Sequence, residues 1–193
     1  MTDSRPRPQA VSVSLPGLRA PAAGYEAPFD MLHACHERVQ RMLSLLQRLH
    51  QHVQTHGADE QSHQAARDIM RYFDQAAPQH HLDEERHVFP SVLALEQEAL
   101  TQVVERLQAD HHDMEAAWAR TRECLLQLLS LEADGVLPWC QQAQPVFAAF
   151  ARIYDRHIAD EEQLVFPASQ RSLGQQALQA MSQDMMRRRG VTI

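Results

Sequence analysis

Two stretches of this chain crowd the same metal-binding side-chain types in the same order. Residues 80–90 read HHLDEERHVFP and residues 157–167 read HIADEEQLVFP, aligning without a gap at an offset of 77 residues. His80 meets His157, Asp83 meets Asp160, Glu84 and Glu85 meet Glu161 and Glu162, and the Val-Phe-Pro ends coincide; upstream, Phe73 meets Phe150. The chemistry that repeats is His-x-x-x-Glu. On a helix, residues four apart lie one turn apart on one face, so an imidazole and a carboxylate at that spacing can hold one metal ion. His81 and His87 drop out of the repeat, because Ile158 and Leu164 stand in their places. Glu85 and Glu162 recur but sit roughly 100° further around the helix, which suits capping, pairing or contact with solvent. Asp83, Asp110 and Asp160 either orient histidines or decorate the surface.

Such pairs need helices to aim them, and the apolar spacing supplies four long ones. Leu32, Val39, Leu43, Leu46 and Leu49 recur at three- and four-residue steps over residues 30–57, an amphipathic helix with Gly57 as its stop. Asp59 is placed to cap a second helix, whose Ala65, Ile69, Phe73 and Ala76 stripe leads into the first motif. That helix is expected to bend at Pro78 and stop at Pro90, since an interior proline removes one backbone hydrogen bond and clashes with the preceding turn. A third spans about residues 96–131 with Val103, Leu107, Met114, Trp118, Leu125 and Leu128, stopped by Ala133-Asp134-Gly135. A fourth spans about residues 138–165, with Phe147, Phe150, Ile153, Tyr154 and Ile158 inside it and Pro145 as a second expected bend. Strand signals are absent. A short helix over about residues 173–186 closes with Arg187, Arg188, Arg189 and Gly190, cations at a helix C-terminus followed by a glycine cap. The predicted fold is all-α: an antiparallel up-down-up-down four-helix bundle built from two repeated helical hairpins, with a short C-terminal helix.

A site in a bundle core also draws on the other two helices, and each carries a pair of histidines, His33 and His36 or His111 and His112. Apolar spacing chooses between them. His36 is followed by Val39 and Leu43 at +3 and +7, and His111 by Met114 and Trp118, whereas His112 is followed by Glu115 and Ala119. His36 and His111 therefore share the core stripe. Turning four imidazoles and two carboxylates into one core is costly unless they are paired or bound to metal. His50, His52, His56 and His63 near the first turn read as exposed loop histidines. Tyr154, one turn before His157, reads as a core tyrosine that can also reach the site.

With His36, the two H-x-x-x-E-E stretches before Phe-Pro and the Asp110-His111 pair, residues 29–170 resemble the hemerythrin-like, or HHE cation-binding, family. The resemblance implies two non-haem iron ions with an oxo or hydroxo bridge, His36, His80, His111 and His157 as terminal ligands, and Glu84 and Glu161 bridging the metals. The animal oxygen carriers of that family add H-x-x-x-H on the third helix; here Glu115 and Ala116 stand four residues after His111 and His112. Imidazole and carboxylate suit iron, although zinc or manganese is possible at the same donors. The implied function is binding or sensing of a small diatomic ligand, oxygen or nitric oxide. The alternative is a redox or iron-release protein in oxidative or nitrosative stress repair or detoxification. A ferritin-like reading is inferior, because its Glu-x-x-His occurs once, from Glu84 to His87, and is lost at Leu164.

Composition bounds the remainder. The 193 residues carry a net charge of −7, and the 18 Lys and Arg form no long basic run, which excludes the electrostatic footprint of a nucleic-acid or anionic-membrane binder. Three cysteines, Cys35, Cys124 and Cys140, without C-x-x-C spacing read as buried thiols in a reducing compartment. With no apolar run long enough to span a bilayer and no cationic-then-apolar leader, the protein is expected in the cytoplasm. Residues 1–28, rich in proline, are expected to be a disordered tail, residues 29–170 the bundle, and residues 171–193 a helix packed on or beside it. No protein partner is named by the sequence.

Overall fold

The computed structural model of the protein describes residues 27–132 and 135–191. Residues 1–26 of the expected tail and the Ala133-Asp134 part of the third stop signal lie outside the described residues. Helix α1, Pro28–His56, starts with proline in its first turn, where the missing N–H is not needed. It ends at Gly57, whose φ of +82° suits glycine. Asp59 caps α2, Glu60–Asp83, as its spacing predicts: its carboxylate accepts from the Ser62 amide at 2.8 Å while Ser62 Oγ accepts from the Asp59 amide at 2.9 Å.

Beyond Asp83 the structure departs from the expected stop at Pro90. The chain widens into a π-helical turn, Glu84–Val88, and then continues as α3, Phe89–Leu93. The same event repeats in the second half, where α5, Val136–Asp160, passes through a π turn, Glu161–Val165, into α6, Phe166–Ser172. The Phe89 and Phe166 amides bond back five residues, to the Glu84 and Glu161 carbonyls. A proline cannot donate, and its ring crowds the carbonyl four residues earlier. Widening the turn just before Pro90 and Pro167 relieves that clash without ending the helix, and π turns of this kind gather at functional sites. Pro78 and Pro145 lie inside α2 and α5, which remain helical across them.

Helix α4, Glu98–Leu128, completes the bundle. The four long helices close a ring in which α1 packs on α2, α2 on α4, α4 on α5 and α5 on α1. This is the expected all-helical antiparallel bundle. Helix α7, Gln175–Arg188, crosses back onto α1 and α2. No described helix is long and apolar enough to cross a membrane.

The core divides in two. One cluster, from Val39 through Phe73 and Leu125 to Phe150 and Tyr154, fills most of the bundle. A second fills one end with Phe29, Leu32, Phe89, Leu107, Phe166 and, from α7, Met181 and Met185. Of the predicted stripes, Val103 and Ala76 are partly buried against the clusters, and their neighbours Val104 and Ala77 are buried fully beside them. Each fully buried leucine or phenylalanine contributes about 1.5–3 kcal/mol, so both clusters resist opening. Along every long helix the candidate site residues occupy the turn between the clusters: His36 lies between Leu32 and Val39, and His111 between Leu107 and Met114.

Candidate metal centre

The polar layer between the two apolar clusters consists of His36, His80, Glu84, His111, His157 and Glu161. All six are at most 5% exposed, and both glutamates are fully buried. Their donor atoms form two overlapping groups in which every ligand atom lies within 4.8 Å of the others: His36, His80, Glu84 and Glu161, and then Glu84, His111, His157 and Glu161. The two carboxylates belong to both groups.

The carboxylates divide their oxygens between the histidine pairs. Glu84 Oε1 is 3.0 Å from His80 Nε2 and 3.8 Å from His36 Nε2, while Oε2 is 3.4 Å from His111 Nε2. Glu161 Oε2 is 3.0 Å from His36 Nε2, and Oε1 is 3.3 Å from His157 Nε2. Although these atoms are close, none of the four carboxylate oxygens and none of the Nε2 atoms of His36, His111 and His157 makes a hydrogen bond. Polar atoms buried at this depth are nearly always bonded. A cation at each group satisfies them together, and the nitrogen-plus-carboxylate donor set suits a first-row transition ion. The residues present therefore fit a dimetal centre.

The outward faces of the imidazoles are also organised. His36 Nδ1 donates to Glu162 Oε1 at 2.6 Å, and His111 Nδ1 donates to Glu85 Oε1 at 2.8 Å. Glu85 and Glu162, expected only to cap, pair or face solvent, thus pair with candidate ligands across the repeat. His157 Nδ1 lies 3.5 Å from Asp110 Oδ2. Phe166 stacks on His36, with centroids 5.2 Å apart, and Phe89 stacks on His111 at 5.6 Å. These aromatic rings are the Phe of each Phe-Pro pair, so the repeated motif carries both the donors and the wall behind them.

Charge in the cluster is shared among its members. Burial works against a charged His36, yet the close Glu161 carboxylate, the hydrogen-bonded Glu162 and then Glu84 push it up to about 12. His111, likewise opposed by burial, is pushed up to about 9 by Glu84 and then Glu85. Burial, and then neighbouring His36, drive His80 well below the ordinary histidine range. Glu84 is raised by burial and by the Glu161 charge; burial opposes Glu161 as well, but His157 and His36 hold it well below the ordinary carboxylate range. The two raised histidines thus lie one in each donor group, and the lowered Glu161 carboxylate belongs to both.

Other histidines fall elsewhere. His33, half-buried, pairs with the other oxygen of Glu162 at 2.5 Å, and His112 faces solvent. His87 bonds Asp184 of α7 at 2.9 Å. His81 stacks flat on His111 at 4.0 Å but joins neither donor group. Tyr154 is buried against Phe73 and Phe150, its hydroxyl pKa raised by burial first and by Tyr72, Glu84 and Glu161. The histidines near the first turn are not in a loop, as expected, but on α1 and α2. His50 donates to the Cys140 carbonyl, His52 to Asp59, and of these four histidines His56 alone is exposed. They form no candidate metal group among the described residues. Cys124 and Cys140 are buried and Cys35 is half-buried, all three as free thiols.

Comparison with known proteins finds a family and a relative. The profile of the hemerythrin HHE cation binding domain family matches residues 27–182. An uncharacterized protein of Haemophilus influenzae is 31% identical over 169 residues, covering 88% of this chain and 94% of that protein.

Proposed function

We propose, from the premise that this chain belongs to the hemerythrin HHE cation-binding family, that it is a di-iron protein that binds or senses oxygen or nitric oxide. In this reading His36, His80, His111 and His157 would be terminal donors, and Glu84 and Glu161 would be shared between the two ions. The observation that carries it is the division of each bridging carboxylate, one oxygen toward each histidine pair, with no hydrogen bond competing for those oxygens. Bound iron supplies redox electrons and open coordination positions for a small ligand.

The chain's own residues do the remainder. Each donor group offers two imidazoles and two carboxylates, so a metal ion held there would keep coordination positions for an exogenous ligand. Glu85 and Glu162 accept from the outer nitrogens of His111 and His36, fixing which nitrogen faces inward. Phe89, Phe166 and the apolar clusters on either side keep bulk water from the polar layer. Imidazole and carboxylate donors also accept zinc or manganese, so iron is part of the proposal. The three free thiols agree with a cytoplasmic setting.

A redox or iron-release role is the second reading. It draws on Glu115 and Ala116, both exposed, at the positions where the animal carriers place a further histidine. Anaerobic purification with metal analysis should give about two irons per chain. A folded, metal-free protein from iron-replete cells overturns the di-iron reading. Mixing the reduced form with oxygen or nitric oxide then separates the two roles: a reversible, long-lived adduct supports binding, and immediate oxidation with iron loss supports release.

A further inference from the structure

We infer that the two metal positions are unequal, the one at His111 and His157 retaining its ion and the one at His36 and His80 exchanging it. The inference rests on the di-iron reading above and concerns this chain's own side chains. When Nε2 of a histidine holds a metal, the neutral ring carries its proton on Nδ1, and that N–H needs an acceptor. The acceptor fixes the ring and raises its basicity, and its loss typically weakens metal retention about 10–100-fold.

Two of the four rings are served symmetrically, His36 by Glu162 at 2.6 Å and His111 by Glu85 at 2.8 Å. The repeat breaks at the other two. In the second half, Asp110 precedes His111 and places Oδ2 3.5 Å from His157 Nδ1, while Arg156 donates to its other oxygen at 3.3 Å. Both facing atoms are buried and lack any other hydrogen bond, so a small rotation joins them. In the first half, the residue before His36 is Cys35, and the counterpart of Arg156 is Gln79, whose side-chain oxygen accepts from Arg188 at 3.1 Å. His80 Nδ1 is buried without a hydrogen-bond partner. A thiol is a weak acceptor beside a carboxylate. Loading the first position therefore strands a buried N–H that loading the second does not.

The test follows release of ferrous iron from the fully loaded, full-length chain into a ferrous chelator under anaerobic conditions. The expected result is two phases of about one iron each, with rates about 10–100-fold apart. Asp110→Ala should accelerate the slow phase alone, bringing the two together, and Cys35→Asp should slow the fast phase alone. A general loosening of the fold accelerates both phases, so confinement to one phase distinguishes orientation of His157 from structural damage. Release of both irons in a single phase by the unaltered protein overturns the inference, even if either variant fails to fold. A slow phase indifferent to Asp110→Ala overturns it too. A chain that takes up no iron removes the di-iron reading itself, a separate outcome from equal release of two.

Discussion

Glu85, one residue beyond Glu84, accepts a hydrogen bond from His111 Nδ1 at 2.8 Å, reaching from the first copy of the repeat to a histidine of the second hairpin. Glu162 returns the contact to His36 at 2.6 Å. Consecutive glutamates thus act in different layers, one toward the ligand atoms and one behind the opposite ring. Glu85→Gln and Glu162→Gln should each reduce iron retention about 10-fold or more while leaving the helical content intact. Iron content after chelator challenge, read beside far-ultraviolet circular dichroism, checks this; unchanged retention in both variants removes the orienting role.

The register of the metal pairs is open to a direct comparison. His157→Ala and Glu161→Ala should abolish most iron binding, whereas His81→Ala should leave iron content near two per chain. His81 stacks on His111 at 4.0 Å without joining either donor group. If His81→Ala strips the metal, the stacked ring is itself a ligand and the assignment of donors changes.

Metal uptake should release protons. In the metal-free chain His36 is pushed up to about 12 and His111 to about 9, so both rings are protonated at neutral pH, and an incoming cation must displace those protons. Loading in weak buffer should acidify the solution, and affinity should fall as pH is lowered. A titration showing neither effect contradicts the charge distribution described for the cluster.

Helix α7 holds a buried charge that the bundle does not pair by itself. Asp83, fully buried beside Glu84, is held by Arg188 and by Arg189, whose Nη2 lies 2.6 Å away. Its counterpart Asp160 is paired within the bundle, by Arg106 of α4 at 2.8 Å. Replacing both Arg188 and Arg189 by alanine strands the Asp83 carboxylate, at a cost of about 3–5 kcal/mol. Adding Asp83→Asn should recover much of it, because removing both partners is far cheaper than removing one. Denaturant unfolding of the double and triple variants measures the difference.

The same helix should loosen in acid. A hydrogen bond from His87, and then Arg188, keep Asp184 below its ordinary value despite burial. A carboxylate with a depressed folded pKa adds stability above its unfolded value, about 3.9, and that stability is lost as pH falls through the lower folded value. Hydrogen exchange of the α7 amides should accelerate over that range, and Asp184→Asn should flatten the response. Equal pH dependence in the unaltered protein and the variant contradicts this role.

Much is legible in the chain alone, because helices and motifs are local. The leucine stripe from Leu32 to Leu49 and the Asp59 cap report the 3.6-residue period and a three-residue hydrogen bond, both readable along the chain. The duplicated His-x-x-x-Glu carried more, since two copies filter shared chemistry from incidental charge; it separated His80 from His81 and Glu84 from His87. The expected stop at Pro90 failed for a physical reason: a helix can widen by one residue ahead of a proline as well as end there, and sequence spacing does not say which.

Sequence alone determined the element types, the repeat and the six candidate donors, each on the core-facing side of its own helix. Tertiary structure decided which atoms meet between hairpins. It set Glu85 behind His111 and Glu162 behind His36, left His80 Nδ1 without a partner, and brought Arg188 and Arg189 onto Asp83. Periodicity fixes the direction of a side chain relative to its own helix axis. The distance between groups on different helices depends on how those helices are rotated and shifted against one another, and packing alone sets that.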